Sequence, residues 1–306
     1  MVKSMERSLV MGTKEYYLDA FIDYLIKNDK SSGTISIYTA NIKGFIKYYI
    51  ESYGEEFIPK NIIMMDLQDY RNYLLNIKRQ KASTINNKIA ALREYFYFLQ
   101  SDGIIKNNPA EGIKKIRTNK PTAPKSFSDS DFRKIKRYVY RSQKKLWIVI
   151  FELLSKTGIR VSELINIRLS DITINERSGN LRVIGKNQKE RNIPLHLDVR
   201  KAITSYMKVR DKMSISLDYF LISERKNHFT RSGIYKMLKR WENDTNIKIH
   251  PHMFRHHFAI QILKTPNSDI NTVQYLLGHE SIESSAVYLK VRQEDLENSI
   301  NAIADY

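Results

Sequence analysis

From Thr13 to about Gly103, apolar residues recur at three- and four-residue intervals with polar residues between them, a pattern that a set of amphipathic helices buries. Leu18, Phe21, Ile22 and Leu25 line one stripe, and Ile35, Tyr38, Ile42, Phe45, Ile46 and Tyr49 a second. Leu67, Tyr70 and Leu74 mark a third, and Ile85, Ile89, Leu92, Phe96 and Leu99 a fourth. Turn and cap residues separate them: Ser31, Ser32 and Gly33 before the second stripe, Gly54 and Pro59 before the third, Ser83 and Thr84 at the fourth. The spacing predicts a four-helix domain over residues 13–110, after an N-terminal extension over 1–12.

The text changes after Pro109. Between Glu111 and Lys125 it is polar and basic, with Lys114, Lys115, Arg117, Lys120, Pro121 and Pro124, and it reads as a basic linker over 111–127. Ser128 stands three residues before Asp131, a capping pattern that opens a second domain over 128–306. That domain is mostly helical with one interruption. Ile172 to Ile174, Leu181 to Ile184 and Arg191 to Leu195 are short β-like runs divided by Ser178-Gly179 and by Gly185 to Lys189. The expected class is therefore mainly α: a helical domain followed by a mixed α+β domain holding a small three-stranded antiparallel sheet. At 306 residues the chain is long enough for two cores.

Charge narrows the choice of partner. Lys and Arg number 51 against 33 Asp and Glu, a formal net charge of +18, which is the footprint of a polyanion binder. The chain has no Cys, which excludes a disulfide framework and a thiolate metal cage. Met1 to Gly12 lacks the apolar stretch of a signal peptide, and no apolar run is long enough to span a bilayer. A soluble, cytoplasmic protein with no membrane partner is expected.

Four segments carry candidate chemistry. Thr157 to Leu164 reads as a turn feeding a helix, with Arg160 and Glu163 one turn apart on one face. The turn Gly185 to Lys189 projects Lys186 from a hairpin. In His250 to His257, Pro251 suits a first helical turn, so His252 and Arg255 face the same way while Phe254, Phe258, Ile262 and Leu263 supply a buried side. His252 and His256 have the spacing of two zinc ligands, but no Glu stands between them and the guanidinium of Arg255 would repel a cation, so no metal is expected. Asp269 to Leu277 forms a short helix closed by Gly278, with His279 just past its end and Tyr288 nine residues on.

Taken singly, each is ordinary: a surface ion pair, a hairpin lysine, a packing tyrosine. As a set they are the inventory for phosphoryl transfer without a metal. Two guanidinium groups neutralise a pentacoordinate phosphorus, and a phenol with an ordinary pKa near 10 needs a histidine to accept or steer its proton. A leaving oxygen needs a proton donor, which Lys186 or a histidine supplies. No cofactor is required.

These segments make the chain resemble the tyrosine recombinases, the phage integrase and Xer group of DNA strand-exchange enzymes. The match runs over nearly the whole chain from about Thr13. It is strongest in TGIRVSEL (157–164), VIGKNQKERNIPL (183–195), HMFRHHFA (252–259) and LLGHESIESSAVY (276–288). The resemblance implies catalytic roles for Arg160, Lys186, His252, Arg255 and His279, Tyr288 as nucleophile, and a supporting role for Glu163. It implies a 3′-phosphotyrosyl intermediate and passage through a Holliday junction, with no ATP. The first domain then corresponds to the family's SAM-like core-binding domain, where Thr84, Asn86, Asn87 and Lys88 are candidate DNA contacts. Lys114, Lys115 and Arg117 of the linker are further candidates.

The expected partners are double-stranded DNA with paired inverted sites and three further protomers in a synaptic tetramer, either copies of this chain or a related second recombinase. The tail, with Leu296, Ile300 and Ile303 on one stripe, is expected to form a docking helix at about 293–304. Two departures from the family pattern fall on packing positions: His257 in place of a small residue, and no glycine in Thr265 to Ser268. Two other functions fit such a chain, a DNA-bridging protein without catalysis and a type IB topoisomerase. Integration or excision, resolution and inversion are all open as biological roles.

Overall fold

The computed structural model describes residues 16–118, 125–185, 188–213, 215–223, 225–265, 268–278 and 288. They fall into two compact units, Met1–Lys120 and Pro121–Tyr306.

The first unit is built on α1 (Leu18–Lys27), α2 (Ser32–Tyr53), α3 (Met64–Asn72) and α4 (Ala82–Ser101). Their buried residues are the stripes read from spacing: Phe21 and Leu25, Ile42 and Phe45, Leu67 and Tyr70, then Ile85, Leu92, Phe96 and Leu99. Each such side chain removed from water contributes about 1.5–3 kcal/mol. The Ser31 hydroxyl accepts from the Thr34 amide at 3.2 Å, and Gly54 ends α2 with φ of 69°. Ser32 and Gly33 thus lie inside the helix rather than before it. Lys81 precedes α4 without a side-chain cap, so Ser83 and Thr84 are first-turn residues. After α3 the chain widens into a π turn over Tyr73–Ile77 that keeps Leu74 buried.

The segment read as linker from residue 111 is bound to this unit over part of its length. Ile113 is buried, Arg93 donates to the carbonyls of Ala110 and Ile113, and Arg71 donates to that of Lys114. Asn86 pairs with both backbone groups of Ile116 at 2.9 Å. Two apolar residues suffice to hold a polar stretch once neighbouring side chains satisfy its backbone.

The second unit starts where Ser128 caps α5 (Asp129–Arg141) by accepting from Asp131. α6 (Lys145–Thr157) is its central helix, buried at Trp147, Val149, Ile150, Phe151, Leu153 and Leu154. Then come α7 (Val161–Asn166) and strands β1 (Ile172–Ile174), β2 (Gly179–Ile184) and β3 (Glu190–Pro194). The sheet is antiparallel in the order β1-β2-β3, with Ile172 opposite Leu181 and Val183 opposite Arg191. α8 (Leu197–Asp211) packs on α6, and α9 (Arg231–Thr245), α10 (Pro251–Lys264) and α11 (Ile270–Leu277) complete the unit. Phe127, at the end of the expected linker, belongs to this core. His257 fills its place by stacking on Phe132, ring centroids 4.2 Å apart. Among the described residues, no helix is long and apolar enough to cross a membrane.

Candidate active site

The site grows from the ends of helices. Gly158 closes α6 in the left-handed region, and a side chain there would put Cβ 2.4 Å from Phe258 and 2.8 Å from Leu277, so only glycine lets α6, α10 and α11 approach. The turn delivers Arg160 to the start of α7, where Glu163 accepts from its backbone amide at 2.8 Å and from its Nη1 at 2.9 Å. Pro251 starts α10, as its fixed φ and missing N–H favour, and places Arg255 one turn in. Asp269 caps α11 and Gly278 ends it with φ of 63°.

Three arginines converge on the last carbonyls of α11, one on each. Arg191 Nε donates to Leu276 at 2.9 Å, Arg255 Nη2 to Leu277 at 2.6 Å and Arg160 Nη2 to Gly278 at 3.3 Å. Helix C-termini carry partial negative charge, so this arrangement aligns dipole and cations. Arg255 Nη1 also donates to the Gly158 carbonyl at 2.7 Å. Arg191 grips both oxygens of Glu163, at 3.1 and 2.9 Å.

Glu163 is therefore a buried carboxylate with four charge-assisted or backbone hydrogen bonds. Burial alone would raise its pKa, but the hydrogen bonds and charges of Arg191 and Arg160 hold it below the usual carboxylate range. With Glu163 ionised, three guanidinium groups face one carboxylate. The excess positive charge, in a setting of lowered dielectric, suits an anion such as a phosphate. Burial and the nearby charge of Arg160 lower the pKa of Arg255 to about 10, which leaves it protonated at neutral pH. Arg160 is the most open of the three, its side chain 35% exposed against 6% for Arg191, and His252 is exposed one turn before Arg255.

Of the residues expected from sequence, Arg160, Glu163, Arg255, His252 and Tyr288 come together on α7, α10 and the segment after α11. Tyr288 is buried against Phe258, Leu263, Val273 and Leu277, and burial raises its pKa while Arg255 opposes that rise. Its hydroxyl lies 2.7 Å from Nδ1 of His256. Lys186 and His279 lie outside the described residues. Their neighbours are placed: Gly278, directly before His279, holds Arg160, and a Cβ on Gly185, directly before Lys186, would stand 3.9 Å from the Glu163 carboxylate. Thr84 and Asn87 are exposed on the first turns of α4, and Lys88 is half-buried. Lys114, Lys115 and Arg117 are exposed, whereas the Asn86 amide is occupied by Ile116.

Two members of the site were not singled out from sequence. Arg191 stands at an inward position of alternating β3, the same face as buried Ile193, and a charge at an inward register demands a buried counterion. That register was the available signal. His256, spaced from His252 like a metal ligand, instead meets the hydroxyl of Tyr288.

Comparison with known proteins gives one consistent answer. Residues 127–295 match the model of the phage integrase family, and residues 18–103 that of the phage integrase N-terminal SAM-like domain. Tyrosine recombinase XerC of Listeria welshimeri is 32% identical over 291 residues, covering 91% of this chain and 94% of that protein. Tyrosine recombinase XerC of Oceanobacillus iheyensis is 30% identical over 304 residues, covering 94% and 95%. In fold, the chain matches the XerH site-specific recombinase bound to palindromic difH substrate in a post-cleavage complex. The TM-score is 0.71 and the identity 20%, covering 87% of this chain and 78% of that one.

Proposed function

This chain belongs to the phage integrase family, and on that premise we propose that it is a tyrosine-type site-specific DNA recombinase, cleaving and rejoining strands through a 3′-phosphotyrosyl intermediate. The observation that carries the reading is the cluster of Arg160, Arg191 and Arg255 on the end of α11, the first two paired with one ionised Glu163, and followed in the chain by Tyr288.

In this reading Arg160 and Arg255 bind the non-bridging oxygens of the scissile phosphate, where their charge matters most as the phosphorus becomes pentacoordinate. Tyr288 attacks, and its phenolic oxygen replaces the 5′ oxygen of the next nucleotide. His252, exposed beside Arg255, contacts the phosphate, and Lys186 or His279 protonates the leaving oxygen. The freed 5′ hydroxyl then attacks the partner duplex, which leads to a Holliday junction. The tyrosyl ester keeps the energy of the phosphodiester, so the cycle needs no ATP.

The net charge of +18 supports duplex DNA as the partner, and exposed Thr84, Asn87, Lys114, Lys115 and Arg117, with half-buried Lys88, are our candidates for contacts outside the reacting phosphate. We assign residues 13–110 to DNA binding and 128–306 to catalysis, place the protein in the cytoplasm, and assign it a tetramer on paired inverted sites. The tail stripe of Leu296, Ile300 and Ile303 lies outside the described residues. The apolar groove between Phe132, Leu195, Phe258, Ile262 and Leu276 is a suitable seat for it on a neighbouring protomer.

A duplex with a nick beside the cleavage point tests the reading, because the short fragment bearing the freed 5′ hydroxyl diffuses away and traps the adduct. The wild type accumulates a covalent protein–DNA species without ATP, and Tyr288→Phe forms none. Absence of any adduct, with the duplex still bound, would point to a bridging role. Site-independent relaxation of supercoiled plasmid would point to a topoisomerase.

A further inference from the structure

The phenol of Tyr288 and the imidazole of His256 lie within hydrogen-bond distance, Oη to Nδ1 at 2.7 Å. Tyr288 is 2% exposed, enclosed by Phe258, Leu263, Val273 and Leu277. A phenol is the stronger donor and an imidazole nitrogen the stronger acceptor, so the hydroxyl donates to Nδ1 and the ring proton sits on Nε2. The ring lies one helical turn from that of His252, with centroids 6.4 Å apart, and directly follows Arg255 in α10.

We propose that His256 is the catalytic base for Tyr288, its Nδ1 taking the phenolic proton as the tyrosine attacks the scissile phosphate. The assignment rests on Tyr288 being the nucleophile. In the step, the O–H bond breaks and the proton passes to Nδ1, giving an imidazolium, while the oxygen's electron pair forms the O–P bond. The P–O5′ bond breaks with its pair left on O5′, which takes a proton from the separate acid of the site. On rejoining, a 5′ hydroxyl gives its proton back to that separate group as it displaces the tyrosine, and the imidazolium returns its proton to the departing phenolate.

The surroundings suit this task. Burial, then His252 and Arg255, lower the pKa of His256 to about 4, so at neutral pH the ring is uncharged and Nδ1 can accept from the phenol. Among the described residues, the charged and titratable groups facing it are His252 and Arg255 from its own helix and its hydrogen-bond partner Tyr288 from the following segment. A phosphate seated against Arg160 and Arg255 offsets their positive charge and raises the basicity of His256, so the base strengthens when substrate is in place. His252, by contrast, is exposed and free to face the phosphate itself.

The test is single-turnover adduct formation on the nicked duplex by the wild type, His256→Ala and His256→Asn. Both variants are expected to slow the adduct by roughly 10²–10⁴-fold with duplex binding little changed, since Asn keeps a hydrogen-bond acceptor but cannot hold the proton. Added imidazole accelerates the Ala variant. A substrate whose leaving 5′ oxygen is replaced by sulfur, which needs no proton, restores neither variant. Adduct rates within about three-fold of wild type in either variant, or full rescue by the sulfur substrate, would overturn the assignment. If the wild type forms an adduct that Tyr288→Phe abolishes while the His256 variants are unimpaired, only this assignment fails. If the wild type forms none, the recombinase reading fails with it.

Discussion

Arg191 holds Glu163 through both terminal nitrogens, at 3.1 and 2.9 Å, with the two side chains 6% and 5% exposed. The pair joins β3 to α7 and, through Arg191 Nε, to the end of α11. Removing Arg191 takes two of the four hydrogen bonds from buried Glu163 and leaves the carboxylate to Arg160 alone, so Arg191→Met should destabilise the protein by about 3 kcal/mol, the low end for breaking a buried pair. The double variant Arg191→Met, Glu163→Gln should lose less than the sum of Arg191→Met and Glu163→Gln, because neither buried charge is left without the other. Urea unfolding of the four proteins measures this, and strict additivity would show that the pair is not coupled.

Arg160 and Arg255 should separate stability from activity. Arg160 is partly open to solvent, and its loss should change stability by less than about 1 kcal/mol. Arg255 satisfies two buried carbonyls, of Gly158 and Leu277, and Arg255→Ala should cost about 2–5 kcal/mol by orphaning them. Both variants should slow adduct formation by about 10²–10³-fold. Unfolding midpoints and adduct rates, measured side by side, check the contrast; equal stabilities for the two variants would contradict it.

What the sequence made legible were features set by neighbours in the chain. Pro251 marked the start of α10, Asp269 and Gly278 bracketed α11, and alternation located β2 and β3 within two residues of their observed ends. The catalytic inventory was legible because its residue types are few and chemically demanding. The convergence was not: Arg160, Arg191 and Arg255 reach three consecutive carbonyls from three different elements, and nothing local to α11 announces such partners. Glu163 read as the helical partner of Arg160, and its stronger partner lies 28 residues away. The attachment of Ile113 and Ile116 was hidden for the same reason, since the side chains that bind their backbone groups belong to Arg93 and Asn86 on α4.

Asn86 should therefore behave as a structural residue, not a DNA contact. Its amide accepts from the Ile116 N–H and donates to the Ile116 carbonyl, both at 2.9 Å. Asn86→Ala should lower stability by about 1–2 kcal/mol, with duplex affinity reduced no more than two-fold once unfolded protein is accounted for. Lys88→Ala should do the reverse, leaving stability unchanged and weakening binding with a shallower salt dependence. Affinity titrations at several salt concentrations distinguish the two; a large affinity loss in Asn86→Ala would restore it as a contact.

Stability should fall in two steps as the solution is acidified. His256 titrates at about 4 in the folded protein against an ordinary 6.5, because burial and then His252 and Arg255 disfavour its charged form. Between those values the unfolded chain binds more protons than the native one, so the stabilisation is complete above pH 6.5 and declines as pH drops towards 4. His252, whose ring is partly desolvated and faces the charges of Arg255, Arg160 and Arg231, and His257, lowered first by burial, act in the same direction. Glu163 is held below its ordinary 4.5 despite its burial, through Arg191 and Arg160. Its contribution is present above 4.5 and lost as pH falls through the lowered value. His256→Asn should flatten the first limb and spare the second, while Glu163→Gln should do the opposite. Urea midpoints from pH 7 to 3 read both slopes, and a His256→Asn profile parallel to wild type between 6.5 and 4 would mean that this histidine does not carry the first limb.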